Sequence, residues 1–405
     1  MSPADVTKPA CTRWRRDPAG VRGRIWGAFV LGPAVFSVGA AATGAAPAYV
    51  GDAACVSCHQ AIADTYRSTA HAHTSSFGTG ESIKGRFGPG FNILRTVNPN
   101  LFFTMDATDR GCFQRGVLRK SPAEILERAE RIDVVVGSGR KGQTYLFWDG
   151  NDLFQLPVSY WTELGDWVNS PGYIDGTADF DRPIAPRCLE CHASSFTSRA
   201  PPLSRYDKAS LVLGIACEKC HGAGAAHVAR YRADPLPPPA TPSAIVNPAK
   251  LPRDRQVDVC SLCHAGAGEP LTPALSFAPG DVLASHLVFA ELAPGAHLDV
   301  HASQVQLMAR SRCFRSTPTM TCTTCHQVHR PQRDLADFAA RCLACHRVEN
   351  CKKFPALGHA IDRRCVECHM PLQETDQIVS SVNGRSVQPK VRNHQIAIYP
   401  DVRLP

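Results

Sequence analysis

Aromatic side chains are scarce in this sequence, 7% of 405 residues, and only 44% of positions are apolar. A chain of this length could make two or three ordinary domains, yet it carries too little apolar surface to give each a deep oily core. Regular elements are often interrupted, by 32 Pro and 30 Gly. No internal repeat of solenoid length occurs, which excludes a stacked-repeat fold. A strong charge of one sign is missing as well. The formal net charge is +8, but the first 48 residues hold six basic and two acidic residues, leaving 38 basic against 34 acidic, or +4. That balance gives no electrostatic case for nucleic-acid binding.

Cysteine is what the chain has in quantity. Seven times Cys-x-x-Cys is followed at once by His: Cys55, Cys58, His59; Cys188, Cys191, His192; Cys217, Cys220, His221; Cys260, Cys263, His264; Cys322, Cys325, His326; Cys342, Cys345, His346; and Cys365, Cys368, His369. These are numbered sites 1 to 7 in chain order. The pattern is the attachment signature of c-type haem. Two thiols one short turn apart form thioethers with the porphyrin edge, and the imidazole right after them reaches the iron as proximal ligand. Zinc half-sites or redox dithiols would tolerate any residue after the second Cys. His fills 16 of 405 positions, so chance would place it after all seven pairs with odds on the order of one in a billion or less. Seven covalently attached haem c groups are therefore expected. Their buried faces would supply the apolar surface that the side chains lack, coupling folding to cofactor attachment. Their propionates would bring the holo-protein to a net charge of about −3.

Residues 1–48 read as an export signal. A basic start is followed by an apolar run from Ile25 to Ala42 and the small-residue stretch AAATGAAPA. Cleavage is expected between Ala42 and Ala48. The alternative is an uncleaved anchor, because an 18-residue run is near the lower limit for spanning a bilayer. The pair Arg15 and Arg16 is followed by Asp17, which suits general secretion better than a twin-arginine route. No lipidation cysteine follows the run. The expected location is the periplasm or another exported compartment, with membrane contact only through this segment.

One haem motif stands near the N-terminus and six crowd the C-terminal half. The expected segments are an N-terminal haem segment (49–79), an insertion (80–187), a haem pair (188–232), a Pro-rich connector (233–250), a four-haem segment (251–371) and a tail (372–405). Within the insertion, GSGRKG and DGND read as hairpin turns joining strands near 132–137, 143–148 and 152–156. SPAEILERAER, with Ser121 as a cap, reads as a helix. Trp148, Tyr160, Trp161 and Trp167 are expected to pack this unit. Brief helices should begin or end at each motif. The fold class expected is mainly α with much irregular structure, wrapped around a covalent multihaem core, with a small antiparallel β insertion.

The far side of each iron decides between electron carrier and substrate site. Nine histidines lie outside the motifs, enough to give every iron a second imidazole: His71, His73, His227, His286, His297, His301, His329, His359 and His394. Methionine offers fewer candidates: Met105, Met308, Met320 and Met370. His71, His227 and His329 follow a proximal His too closely to reach its own haem's opposite face, so each should serve a neighbouring haem. His394 could tie the C-terminus to the core. His301, His359 and His297, with His286, are weaker distal candidates, a surface or hydrogen-bonding role being the alternative. Outside the motifs, Cys313 and Cys351 are the economical disulfide for an oxidising compartment. Cys112 would then be an unpaired, buried small group.

Several stretches carry a family resemblance: YVGDAACVSCH with YRSTAH, VVGSGRKGQTYLFWDGNDLFQLPVSYW, GIACEKCHGAGAAH, VNPAKL with VCSLCH, SRCF with CTTCHQVH, and CVECHMP. The chain resembles the multihaem cytochrome c family that includes tetrahaem electron-transfer cytochromes. It also resembles bacterial cytochromes with doubled CxxCH motifs, some joined to tetratricopeptide repeats. The resemblance implies closely spaced haems and distal ligation by the residues matching His71 and His227. Seven motifs exceed the tetrahaem members, so their haem order does not transfer. The function expected is an exported heptahaem electron carrier with mostly bis-histidine haems, exchanging electrons between a membrane donor and a periplasmic or outer-surface acceptor. The alternative is an oxidoreductase acting on a small nitrogen or sulfur compound at one open haem. A haem-bearing scaffold would need long haem-free segments, and only residues 80–187 qualify.

Overall fold

The computed structural model describes residues 48–199, 204–233, 244–266, 268–291, 293 and 295–402. The export-signal reading, apart from Ala48, and most of the Pro-rich connector lie outside the described residues. Among the described residues no helix is long and apolar enough to cross a membrane.

The described residues are not mainly α: 27% of them are helical and 26% are strand. The difference lies in the region between sites 1 and 2, where the β unit is far larger than three strands. One sheet, in the order β2-β3-β4-β5, comprises β2 (Ile93–Arg95), β3 (Leu101–Thr108), β4 (Gly111–Ser121) and β5 (Glu124–Arg131). The other runs β1-β6-β7-β9-β10, from β1 (Ser75–Phe77), β6 (Val134–Val136), β7 (Gly142–Asp149), β9 (Val158–Trp161) and β10 (Asp166–Asn169). A further strand, β8 (Asp152–Gln155), pairs with β7. Every pairing is antiparallel, and the expected strands in 132–137, 143–148 and 152–156 are β6, β7 and β8.

Strand alternation explains the burial. In β3, Leu101, Phe103 and Met105 point inward while Phe102, Thr104 and Asp106 are half-buried on the other side. They meet Tyr145, Phe147, Tyr160, Trp167 and Phe180 in one shared core. Gln114 of β4 joins the sheets, donating to the Val158 carbonyl at 2.7 Å and accepting from the Val158 amide at 3.1 Å. Gly85 is required where it stands, because a Cβ there would lie 2.0 Å from the Trp167 ring.

The segment read as a helix at 121–131 is instead β5. Its Glu and Arg content favours helix weakly, but pairing with β4 along its length and the ion pairs Arg115–Glu127 (3.1 Å) and Lys120–Glu124 (3.2 Å) hold it extended.

From residue 186 on, elements are short and gather around the motifs. The helices are α1 (Asp52–Tyr66), α2 (Pro186–Glu190), α3 (Cys217–His221), α4 (Ala225–Arg232), α5 (Arg253–His264), α6 (Gln304–Arg310), α7 (Arg312–Ser316), α8 (Leu335–Leu343), α9 (Phe354–Leu357) and α10 (Cys365–His369). Site 5 lies on a single 3₁₀ turn, Cys322–Thr324. In α1 the backbone leaves the helical region at His59 (φ −113°, ψ 37°), so even this helix is kinked where its motif ends. Leu189, Ala193, Phe196, Tyr206 and Leu211 join Val134, Leu146, Leu153 and Ile184 in a cluster shared with β6, β7 and β8; farther along the chain the clusters are small, Leu262, Phe277, Leu283 and Leu287 forming one and Leu298, Val300 and Leu307 another.

Candidate haem sites

All fourteen motif cysteines are free thiols, as thioether formation requires. Among the described residues no group of three or more His, Cys, Asp or Glu side chains is placed to hold a metal ion by itself. Two motif histidines are oriented by backbone carbonyls. His221 Nδ1 lies 2.9 Å from the Val246 oxygen and His369 Nδ1 lies 2.8 Å from the Ala397 oxygen. His394 Nδ1, outside the motifs, lies 3.1 Å from the Arg392 oxygen. With Nδ1 donating, Nε2 carries the lone pair a metal needs.

Motif and non-motif imidazoles come together in pairs. His59 stacks with His227 at 6.4 Å between ring centres, His221 with His329 at 6.0 Å, and His326 with His394 at 6.1 Å; His71 and His264 are 6.1 Å apart, nearly perpendicular. Two metal–nitrogen bonds of about 2 Å, plus about 1 Å from each nitrogen to its ring centre, put two axial imidazoles about 6 Å apart. The rings are thus spaced as an intervening metal would require, too far apart for direct van der Waals stacking. His301 lies within electrostatic reach of His192. Burial holds His71, His192, His227, His301, His329 and His394 below the usual imidazole range. Burial, then the neighbouring imidazoles, takes His264 and His326 down to about 4. These rings are neutral at neutral pH, the form that binds metal.

The family model for cytochrome c554 and c-prime matches residues 172–222, the stretch carrying sites 2 and 3. Over that stretch the chain is similar to a family of multihaem c-type cytochromes. Among solved structures the chain is similar to the outer cell wall cytochrome OcwA, with 16% identity over 86% of this chain and 79% of that one and a TM-score of 0.53; such a likeness bears on fold alone. A more remote likeness, with 16% identity over 87% of this chain and 52% of the other and a TM-score of 0.38, is to an undecahaem cytochrome from the S-layer of Carboxydothermus ferrireducens. No curated protein matches.

The remaining candidates lie apart from the motif rings. His297 meets Asp376 at 3.0 Å and His359 meets Asp362 at 3.1 Å, both on the surface. His286 is 3.0 Å from the Thr272 hydroxyl and edges onto Phe277. Among the described residues no imidazole is paired with His346 or His369. The expected Cys313–Cys351 disulfide is absent: both are free thiols, the first near Cys325 and the second near Cys368. Cys112 is buried in the β core, as expected, but it is disulfide-bonded rather than unpaired.

Sequence reasoning missed the buried carboxylates that position the sites. Glu218, inside the site 3 motif, accepts from the amides of Val50 (3.0 Å), Gly51 (2.8 Å) and Gly224 (2.7 Å), fixing α1 and its site against α3. Asp299 accepts from the His301 amide at 2.8 Å, the Ala302 amide at 3.1 Å and the Thr375 hydroxyl at 2.8 Å. Asp299 stands two residues before a candidate ligand, a spacing that gives a weak signal; Glu218 occupies a variable position of its motif and gives none.

Proposed function

We propose that this protein is a cytochrome, an exported heptahaem electron carrier in which most irons have two histidine ligands. The observation that carries the reading is the set of four imidazole pairs 6.0–6.4 Å apart, each joining a motif histidine to one outside the motifs. His59 and His227 would hold site 1, His192 and His301 site 2, His221 and His329 site 3, His264 and His71 site 4, and His326 and His394 site 5. Bound haem supplies one-electron iron chemistry, and two imidazoles set a lower potential than His/Met ligation, which suits anaerobic respiratory traffic. The likeness in fold to a cytochrome of an outer cell wall supports an exported location. Donor and acceptor would be redox proteins, one at the membrane and one in the periplasm or at the cell surface.

Electron paramagnetic resonance of the oxidised protein tests this. Low-spin signals from at least five irons, unchanged by cyanide or nitrite, are expected. High-spin iron across most of the set would contradict it. His346 and His369 favour a second reading for the end of the chain, an open iron reacting with a small nitrogen or sulfur compound at site 6 or 7. A high-spin fraction of one or two irons that nitrite or cyanide converts would mark it.

A further inference from the structure

One of the four imidazole pairs is built differently from the other three. Ring planes meet at 21° in His59–His227, 11° in His221–His329 and 19° in His326–His394, but at 79° in His71–His264, whose ring centres are 6.1 Å apart. The spacing is shared and the twist is not.

The crossed pair is held from both ends. His71 stands in the turn before β1, and its carbonyl accepts from the amides of Ile215 at 3.0 Å and Thr74 at 3.2 Å. Inside the turn the buried Thr69 hydroxyl accepts from the Ala72 amide at 3.2 Å. The Thr74 carbonyl accepts from the Gly137 amide at 2.6 Å, and Ser75 Oγ accepts from the Gly214 amide at 3.0 Å. Gly214 lies at φ +75°, and a Cβ on it would run into the Ala72 carbonyl oxygen. The backbone that carries His71 is thus clamped between the β6–β7 connection and the residues leading into α3. Across the gap, His264 ends α5, and Gln306 donates to the next carbonyl, that of Ala265, at 2.8 Å.

Ring orientation matters because each axial imidazole donates through a π orbital perpendicular to its own plane. Parallel rings load the same iron d orbital and split it from its partner, which gives a rhombic low-spin signal and favours ferric iron. Crossed rings load both orbitals alike, so the signal is strongly axial with one very large g value, and the ferric preference is lost. Resting on the reading that each motif holds a haem, we propose that the clamped turn at 69–75 makes site 4 the highest-potential iron of the four pairs. An incoming electron settles there, and sites 1, 3 and 5 pass electrons on from lower potential.

Electron paramagnetic resonance during a redox titration of the exported holo-protein tests this. The oxidised parent is expected to show a large-g axial signal beside rhombic ones. On reduction it should fade before the rhombic signals of sites 1, 3 and 5, which are assigned by their loss in His227→Met, His329→Met and His394→Met. His71→Met should abolish the large-g signal and keep the rhombic set. Thr69→Val retains the ligand and loosens only its turn, so it should move the large-g signal and no other. The absence of a large-g signal in the oxidised parent, its survival in His71→Met, its fading after the rhombic set, or a Thr69→Val spectrum identical to the parent's overturns the proposal. A parent without covalent haem, or high-spin throughout, brings down the functional reading as well; low-spin signals that are all rhombic bring down only the special place of site 4.

Discussion

The β region between sites 1 and 2 and the haem-bearing half are stabilised in different ways. In the first, two antiparallel sheets share one core whose largest members, Trp167, Tyr145, Phe103 and Phe147, are fully buried, and Gln114 bridges the sheets. In the second, beyond the cluster that Leu189, Phe196, Tyr206 and Leu211 share with β6, β7 and β8, apolar clusters of three or four residues stand among fourteen thiols and a set of buried imidazoles. The first can exclude water by itself. On the proposed reading the second becomes a core only around haem, much as small metal domains fold on binding metal.

Withholding haem should break this symmetry most. In protein made without haem attachment, amide exchange is expected to lose protection across 188–232 and 251–371 while 93–169 stays protected; collapse of both together would show that the sheets depend on the haems. Next in size is Phe103→Ala, expected to cost about 3–5 kcal/mol in the β region through transfer and cavity effects with the haem spectrum unchanged, as read by denaturation with separate near-ultraviolet and Soret probes. Glu218→Gln acts on the other side of the comparison. It weakens bonds to three amides and should cost about 1–3 kcal/mol, with the thermal transition of the haem half falling and the β transition unmoved.

The smallest effect expected is that of acid at Asp299. Burial pushes its carboxyl up, but the Thr375 hydroxyl and the amides of Asp376, His301 and Ala302 outweigh burial and hold it below the usual carboxylate range. A carboxyl depressed in the fold stabilises above its unfolded value of about 3.9, and that stability is lost as pH falls through the lower folded value. Asp299→Asn should flatten the Tm profile of the haem half across that acid window. An unchanged profile would remove Asp299 from the account.

How much could be read in the sequence differs between the two regions for the same physical reason. The CxxCH signature is local, five residues long, so all seven motifs were visible. Of the distal candidates ranked first, His71, His227 and His329 each stand beside a motif ring other than the one they follow, as their short chain offsets suggest, and His394, chosen as a tie from the C-terminus to the core, stands beside His326. The long-range arrangement was not legible. Nothing near Cys188 announces that site 2 meets site 4, a contact made by Arg187 across 75 residues of chain. The β region was undersized because β2 to β5 pair through tertiary contacts that outvote the helical composition of EILERAER.

Covalent haem at the CxxCH sites carries the whole account, and the intact mass of the secreted protein after denaturation tests it most directly. The result predicted is a single species heavier than the polypeptide by seven haems, with no bound zinc. A mass equal to the bare chain, or zinc retained by the native thiols, would contradict it.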